Sequence, residues 1–256
     1  MNAALAAAAT LVAVAFALST LDRWQRRRRP HELAWTVSLL LFAIGSLALW
    51  WAESAGWSLG AFRIFYIAGA VLNVPWLALG TMYLLAGTAT GNRVRGWLVF
   101  LSGLTVGVVG FAPTRARLRR SELPTGQVVF GVAPRVLAAV ASGVAALVII
   151  AGALWSAWRV RRGRSPSLAD ARTVASPRRL VGGNLLIALG TLVLSASGTL
   201  AGRLGKDRAF AITLLVGITI LFVGFLVASA APPHASDNDT SSDEAAPQEL
   251  AADVAG

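Results

Sequence analysis

The chain has 256 residues, of which 56% are hydrophobic and only 14% charged, and its mean hydropathy is +0.65. A soluble domain cannot hide that much apolar surface, so the chain needs lipid as its solvent. Its formal net charge is +11 and it has no cysteine, which excludes disulfides, thiolate catalysis, iron–sulfur clusters and cysteine-ligated zinc.

Seven apolar runs, 3–21, 33–52, 59–86, 97–112, 136–158, 180–201 and 209–231, are separated by short charged clusters. In hydrocarbon each run must satisfy its own backbone hydrogen bonds, so each is expected to be a helix, and about twenty residues suffice to cross the bilayer. The predicted fold is therefore an all-α integral membrane protein with seven transmembrane helices in residues 1–231. The fourth run is the shortest. The first resembles a signal peptide at Ala17-Leu18-Ser19, but its positive charge follows the apolar stretch instead of preceding it, as in an uncleaved anchor with its N-terminus outside. With that orientation fourteen Lys and Arg residues fall in inner loops and eight in outer loops. The tail 232–256 holds six of the twelve carboxylates and no aromatic residue, and is expected to be disordered in the cytoplasm.

Tryptophans 24, 35, 50, 51, 57, 97, 155 and 158 lie near span ends, the positions of an interfacial belt, whereas Trp76 falls in mid-span. The third span is the richest in functional groups. Arg63 and Tyr66 open it near the outer face and Asn73 precedes Pro75 near its centre. Proline cannot donate to the carbonyl one turn back, so the helix should kink, and the freed carbonyl needs a partner that Asn73 is placed to supply. Asn73 either bonds across helices or faces a ligand cavity. Arg63 either snorkels to outer headgroups, pairs with Glu53, or binds an anionic group.

In the fourth span Gly103 and Gly107 form a GxxxG motif, a helix-contact signal. The fourth-to-fifth loop carries Arg115, Arg117, Arg119, Arg120 and Arg135, an outer basic loop suited to anionic headgroups or a partner protein, followed by Leu123-Pro124-Thr125-Gly126 and a short β-prone run to Phe130. In the sixth span Asn184, Thr191, Ser195, Gly198 and Gly202 return to one face, which either packs closely or lines a pocket. Ala78-Leu79-Gly80-Thr81 recurs as Ala188-Leu189-Gly190-Thr191, the kind of echo an inverted repeat would leave, although such common residues also coincide by chance.

Several chemistries are disfavoured. The only histidines, His31 and His234, cannot supply paired haem ligands, a zinc site or an intramembrane serine–histidine pair. Lys206 is the single lysine and lies in a loop, so a retinal Schiff base in a late helix is ruled out. Midplane carboxylates of the kind that drive ion coupling are missing. No cofactor, metal or nucleic-acid partner is expected.

Arg29-Pro30-His31-Glu32-Leu33-Ala34-Trp35-Thr36, the stretch Phe62 to Leu85, and Leu123 through Arg135 resemble a group of uncharacterised actinobacterial multi-pass membrane proteins. The resemblance implies a bacterial cytoplasmic membrane and carries no activity with it. The leading expectation is a non-catalytic protein that binds a lipid or small amphiphile between helices, as a sensor or accessory subunit working with membrane lipids and with another membrane protein or a signalling partner. Its candidate site is Glu53, Arg63, Tyr66, Asn73, Trp76, Asn184, Thr191 and Ser195. The alternative is a small uniporter or exporter of a neutral or weakly anionic compound, in which Asn73 and Thr191 would meet across a cavity. A third is a surface enzyme on lipid-linked substrates, which would need Asp22, Glu32 and Asp170 in one cleft.

Overall fold

The structure is a computed structural model, and it describes residues 2–115, 123–161, 182–183, 185–194 and 207–229. The tail 232–256 lies outside the described residues, as do Arg117, Arg119, Arg120, Asn184 and Ser195. The described chain is helical, and five of its helices are long and apolar enough to cross a membrane. This is the composition of a multi-pass membrane protein.

Helices α1 (Asn2–Arg27) and α2 (Pro30–Ala55) form the first hairpin. Ala6, Ala9, Ala13, Phe16, Ala17 and Thr20 repeat at three- and four-residue steps and are at most 1% exposed, so α1 lays one small-residue face against its neighbours. The pairs Thr10–Ser46 and Thr20–Thr36, both at 2.9 Å, show the two helices antiparallel, since an advance along one is matched by an equal retreat along the other. Arg28 at φ 51 closes α1, and Pro30 opens α2 in the first-turn position where its missing N–H costs nothing.

Gly56 at φ 90 ends α2, and Ser58 caps α3 (Leu59–Phe65) by accepting from the Ala61 N–H at 3.2 Å. A π-helical segment follows at Tyr66–Leu72 and leads into α4 (Asn73–Gly110). The predicted disturbance before Pro75 thus takes the form of a widened helical turn. Helix α4 is not straight. Gly87 at φ 81 and ψ 174 breaks it into two arms, and three contacts show that the arms run antiparallel: Tyr83 to Asn92 at 2.9 Å, Trp76 to Ser102 at 3.3 Å and Arg63 to Ala112 at 2.8 Å. Successive partners advance on one arm as they retreat on the other. The third and fourth apolar runs are therefore the two sides of one hairpin, turned by a glycine because a side chain is strained at that φ.

The run that follows Leu123-Pro124-Thr125-Gly126 does not form the expected strand. Val128-Val129-Phe130 falls in a one-turn helix, α5 (Gly126–Val129), and a single antiparallel bridge, Thr114 to Phe130. The β propensity of this run is overridden because Val129 and Phe130 are driven inward, at 1% and 0% exposure, where the described residues offer no partner strand. Phe130 stacks on Phe62 with ring centroids 5.3 Å apart, in an aromatic cluster with Trp57, Phe65, Tyr66 and Phe210. Helix α6 (Val132–Arg161) then runs alongside the π segment and the first arm of the hairpin.

Helix α7 (Leu185–Leu194) and α8 (Asp207–Ser229) meet through glycines. A Cβ on Gly190 would sit 2.8 Å from the Leu221 nitrogen and 2.9 Å from the Gly217 carbonyl, and one on Gly224 would sit 2.8 Å from the Ile187 nitrogen. Helix α8 returns to α1, where Phe222 and Phe225 pack on Phe16 at 4.7 and 4.8 Å. The tetrapeptide echo does not share an environment: Leu79 is buried at 1% and Leu189 is 48% exposed, and Gly80 lies under an indole ring whereas Gly190 lies against backbone.

Two sequence expectations need correction here. Trp35 and Trp57 do not belong to an interfacial belt. Trp35 fills the space at Gly80 and meets Phe225 edge-on at 5.1 Å, and Trp57 is 3% exposed inside the aromatic cluster. The GxxxG pair makes no contact among the described residues either, because none of their atoms lies within 4 Å of a Cβ built on Gly103 or Gly107.

Candidate functional site

A cavity of about 530 Å³ lies between α2, α3 with its π segment, α6 and α8, closed at one end by Leu123-Pro124-Thr125-Gly126. That volume lies in the range of small-molecule pockets. Helical periodicity explains who lines it. Phe62, Phe65, Tyr66, Gly69, Ala70, Asn73 and Val74 recur at three- and four-residue steps along one face, and Ala139, Ser142, Gly143 and Ala146 do the same on α6. Gly45 of α2 and Gly69 bring two backbones together, with a Gly45 Cβ 3.1 Å from the Gly69 Cα. This close crossing leaves room on the α6 side, where Gly143 has nothing within 4 Å of a Cβ.

The polar groups around the cavity are engaged with the protein itself. In a π register a carbonyl pairs with the N–H five residues on, as Ala68 does with Asn73. For Ala70 that residue is Pro75, which has no N–H. Ser142 of α6 supplies the missing donor, its hydroxyl donating to the Ala70 carbonyl at 2.6 Å. Asn73, expected to repair the kink, to bond across helices or to face a cavity, bonds across to α2 at the cavity wall. Its amide oxygen and its own carbonyl, at 2.8 and 2.9 Å, share the hydroxyl proton of Ser38 on α2. Ser46 is bonded back to the Phe42 and Ala43 carbonyls and forward to Thr10. What remains facing the space is chiefly hydrocarbon and aromatic surface.

At the end closed by the loop the chemistry changes. A Cβ on Gly126 would lie 2.8 Å from the Tyr66 ring, so the Pro124-Thr125-Gly126 turn rests directly on that ring and only glycine fits there. The Tyr66 hydroxyl is 3.5 Å from the Pro134 carbonyl, a long contact. Thr125 occupies the cap position of α5, yet its side chain makes no capping bond. Arg135 stands one helical turn before Ala139 on α6 and is not among the residues that line the cavity.

Of the residues proposed from sequence, Tyr66 and Asn73 line this cavity. Arg63 instead donates to the Ala112 carbonyl at 2.8 Å and ties the open end of the hairpin shut. Trp76 bonds to Ser102 between the two hairpin arms. Thr191 is 1% exposed and donates to Ile187 of its own helix, so it does not meet Asn73 across the cavity. Glu53 is half-buried near the end of α2 and outside the cavity lining. Arg115 pairs its backbone N–H with Val129 at 3.0 Å and lays its guanidinium by Gly131. Asp22 bonds Arg26 at 3.0 Å on an exposed face and Glu32 is buried at 4% exposure; Asp170 lies outside the described residues.

The residues missed from sequence are Ser38, Ser46, Ser142, Gly143 and the Gly45–Gly69 pair. The available signal was Ser142-Gly143 interrupting an apolar run opposite a proline-containing span. Compared with protein-family models, with curated proteins and with solved structures, the chain has no match.

Proposed function

We propose that this chain crosses a bacterial cytoplasmic membrane seven times, N-terminus outside and tail inside, and holds a lipid or small amphiphile in the cavity between α2, the π segment, α6 and α8. It acts without catalysis, as a sensor or accessory subunit that reports occupancy to a separate membrane or signalling partner. The observation that carries this reading is the cavity itself: apolar walls, with Ser38, Ser46, Asn73 and Ser142 bonded to protein groups, favour a guest that is mostly hydrocarbon. The antiparallel hairpin 59–110 supports two crossings where one continuous helix would give one. The charge distribution supports the orientation.

The test is native mass spectrometry of the protein released from gentle detergent, comparing wild type with Gly143→Leu. A Cβ at position 143 meets no described atom within 4 Å, so a side chain there can be added at the cavity wall. Wild type should retain a bound amphiphile at about one per chain, and the variant should lose it while staying folded. Equal retention by both proteins would reject the cavity as the binding place.

A further inference from the structure

In an α register the carbonyl orphaned by Pro75 would belong to Val71, which is 0% exposed. The π segment moves the orphan back one residue, to Ala70, and Ala70 lines the cavity. The widened turn therefore puts this acceptor on the cavity wall instead of in sealed core. Ser142 answers it from α6 at 2.6 Å, but a hydroxyl has one proton and two lone pairs, and a carbonyl oxygen has two lone pairs of its own. With that proton committed, both oxygens keep acceptor capacity and neither keeps a donor. Donors stand one turn further along the same face. Asn73 also lines the cavity, and both of its side-chain and carbonyl oxygens are served by the Ser38 hydroxyl, so among the described residues its amide nitrogen has no acceptor.

These groups share the deep end of the cavity. A Cβ on Gly152 of α6 would meet Thr81 and Leu85, so α6 runs parallel to the first hairpin arm, with Ser142 level with Ala70 and Ala146 level with Val74, where the lining of that arm stops. Tyr66, under the Gly126 turn, is two helical turns away at the other end. Between them the wall is Phe42, Phe65, Phe210 and Leu214. Unused acceptors beside unused donors are the complement of a hydroxyl, whose oxygen receives the Asn73 N–H while its proton goes to Ser142 or Ala70. An ether oxygen would serve the amide alone. A bare hydrocarbon would leave both sides unpaired against a low-dielectric wall, where an unmade hydrogen bond costs most.

Resting on the cavity reading above, we infer that the ligand carries a hydroxyl, seated between Asn73, Ser142 and the Ala70 carbonyl, on a hydrocarbon body that lies along the aromatic part of the cavity toward Tyr66. The ligand class is an alcohol of a long hydrocarbon. Because the Ala70 carbonyl is orphaned only in the π register, the bound hydroxyl favours the widened turn, and occupancy is thereby coupled to the shape of the third span.

The experiment uses the full chain in nanodiscs, with a conjugated-polyene alcohol as fluorescent probe and three competitors of equal length, dodecanol, undecyl methyl ether and tridecane, each dosed as mole fraction of the bilayer. Dodecanol should displace the probe from wild type at about tenfold lower mole fraction than the ether or the alkane, a difference of about 1.4 kcal/mol. Asn73→Ala should remove that advantage and leave tridecane unchanged. Ser142→Ala supplies a second readout: it strips the Ala70 carbonyl of its donor, and a ligand hydroxyl replaces it. Dodecanol should therefore raise the unfolding temperature of Ser142→Ala more than that of wild type, whereas the ether, which has no proton to give, should act on both alike. If the three chains compete equally on wild type, the hydroxyl assignment falls and the cavity reading survives. If none of them binds saturably to wild type that elutes as a folded species, both fall. Equal weakening of all three by Asn73→Ala, or equal stabilisation of Ser142→Ala by alcohol and ether, would assign these side chains to the fold alone and overturn the inference.

Discussion

The two arms of the 59–110 hairpin have similar compositions and opposite roles. In the first arm Pro75, Leu77, Ala78, Leu79, Gly80 and Tyr83 are buried, Asn73 is bonded to α2, and Gly80 is covered by the Trp35 indole. In the second arm Trp97, Val99, Phe100, Leu104 and Val106 point outward, and glycines 96, 103, 107 and 110 have open space where a side chain would go. Small residues therefore mean contact along the first arm, whereas in the second only Gly91, packed on the Tyr83 ring near the tip, is in contact among the glycines compared. The motif that looks most like a packing signal, Gly103-xxx-Gly107, makes no such contact among the described residues. What matters is which face the rest of the bundle occupies, because lipid tails solvate an outward apolar face as well as protein does and leave glycine no reason to be there or to be absent.

The largest expected effect tests whether both arms cross. With cysteine placed on this cysteine-free background, Gln127→Cys, beyond the second arm, should be labelled by an impermeant thiol reagent in intact cells. Ala89→Cys, at the hairpin tip, should be labelled only after permeabilisation. The same reactivity at both positions would mean that the second arm does not return across the membrane, and the comparison would lose its basis.

A second expectation sharpens the difference in packing. A Cβ at Gly80 would lie 2.1 to 2.8 Å from three atoms of the Trp35 ring, which is itself held against Phe225. Gly80→Leu should prevent folding, and Gly80→Ala should cost about 3 kcal/mol or more, as overpacking of a rigid neighbour does. Gly103→Leu should be neutral. Thermal unfolding in detergent followed by size-exclusion chromatography measures both, and equal losses would show that the second arm is packed after all.

A smaller effect is expected at the repaired carbonyl. Ser142→Ala leaves the Ala70 carbonyl without its donor and should cost about 1–2 kcal/mol. If the serine serves to compensate Pro75, the same change in a Pro75→Ala background should cost clearly less, because an alanine at that position has an N–H to offer. An unchanged cost in the double variant would separate Ser142 from the proline. At the low end, Arg28→Gly should stabilise the α1–α2 turn by up to about 1 kcal/mol, since Arg28 holds a positive φ that glycine adopts freely.

Much of the architecture could be read from the chain alone. The apolar runs, the disturbance before Pro75 and the inward role of Asn73 follow from rules that hold residue by residue: backbone groups must be paired in lipid, proline has no N–H, and a mid-span amide needs a partner. Those rules say that a partner exists and not which one. Ser142 lies 72 residues from Ala70, and Ser38 lies 35 from Asn73, so their identification needed the helices in place. The same holds for Trp35 and Trp57, which have the span-end positions of belt residues but fill space beside Gly80 and Phe62. Composition and hydrogen-bond capacity determined that this is a bundle of apolar helices with a distorted third span. Where the bundle leaves a cavity, and which of many serines and glycines border it, depended on the relative placement of helices far apart in sequence, a property of their joint packing and not of any one segment.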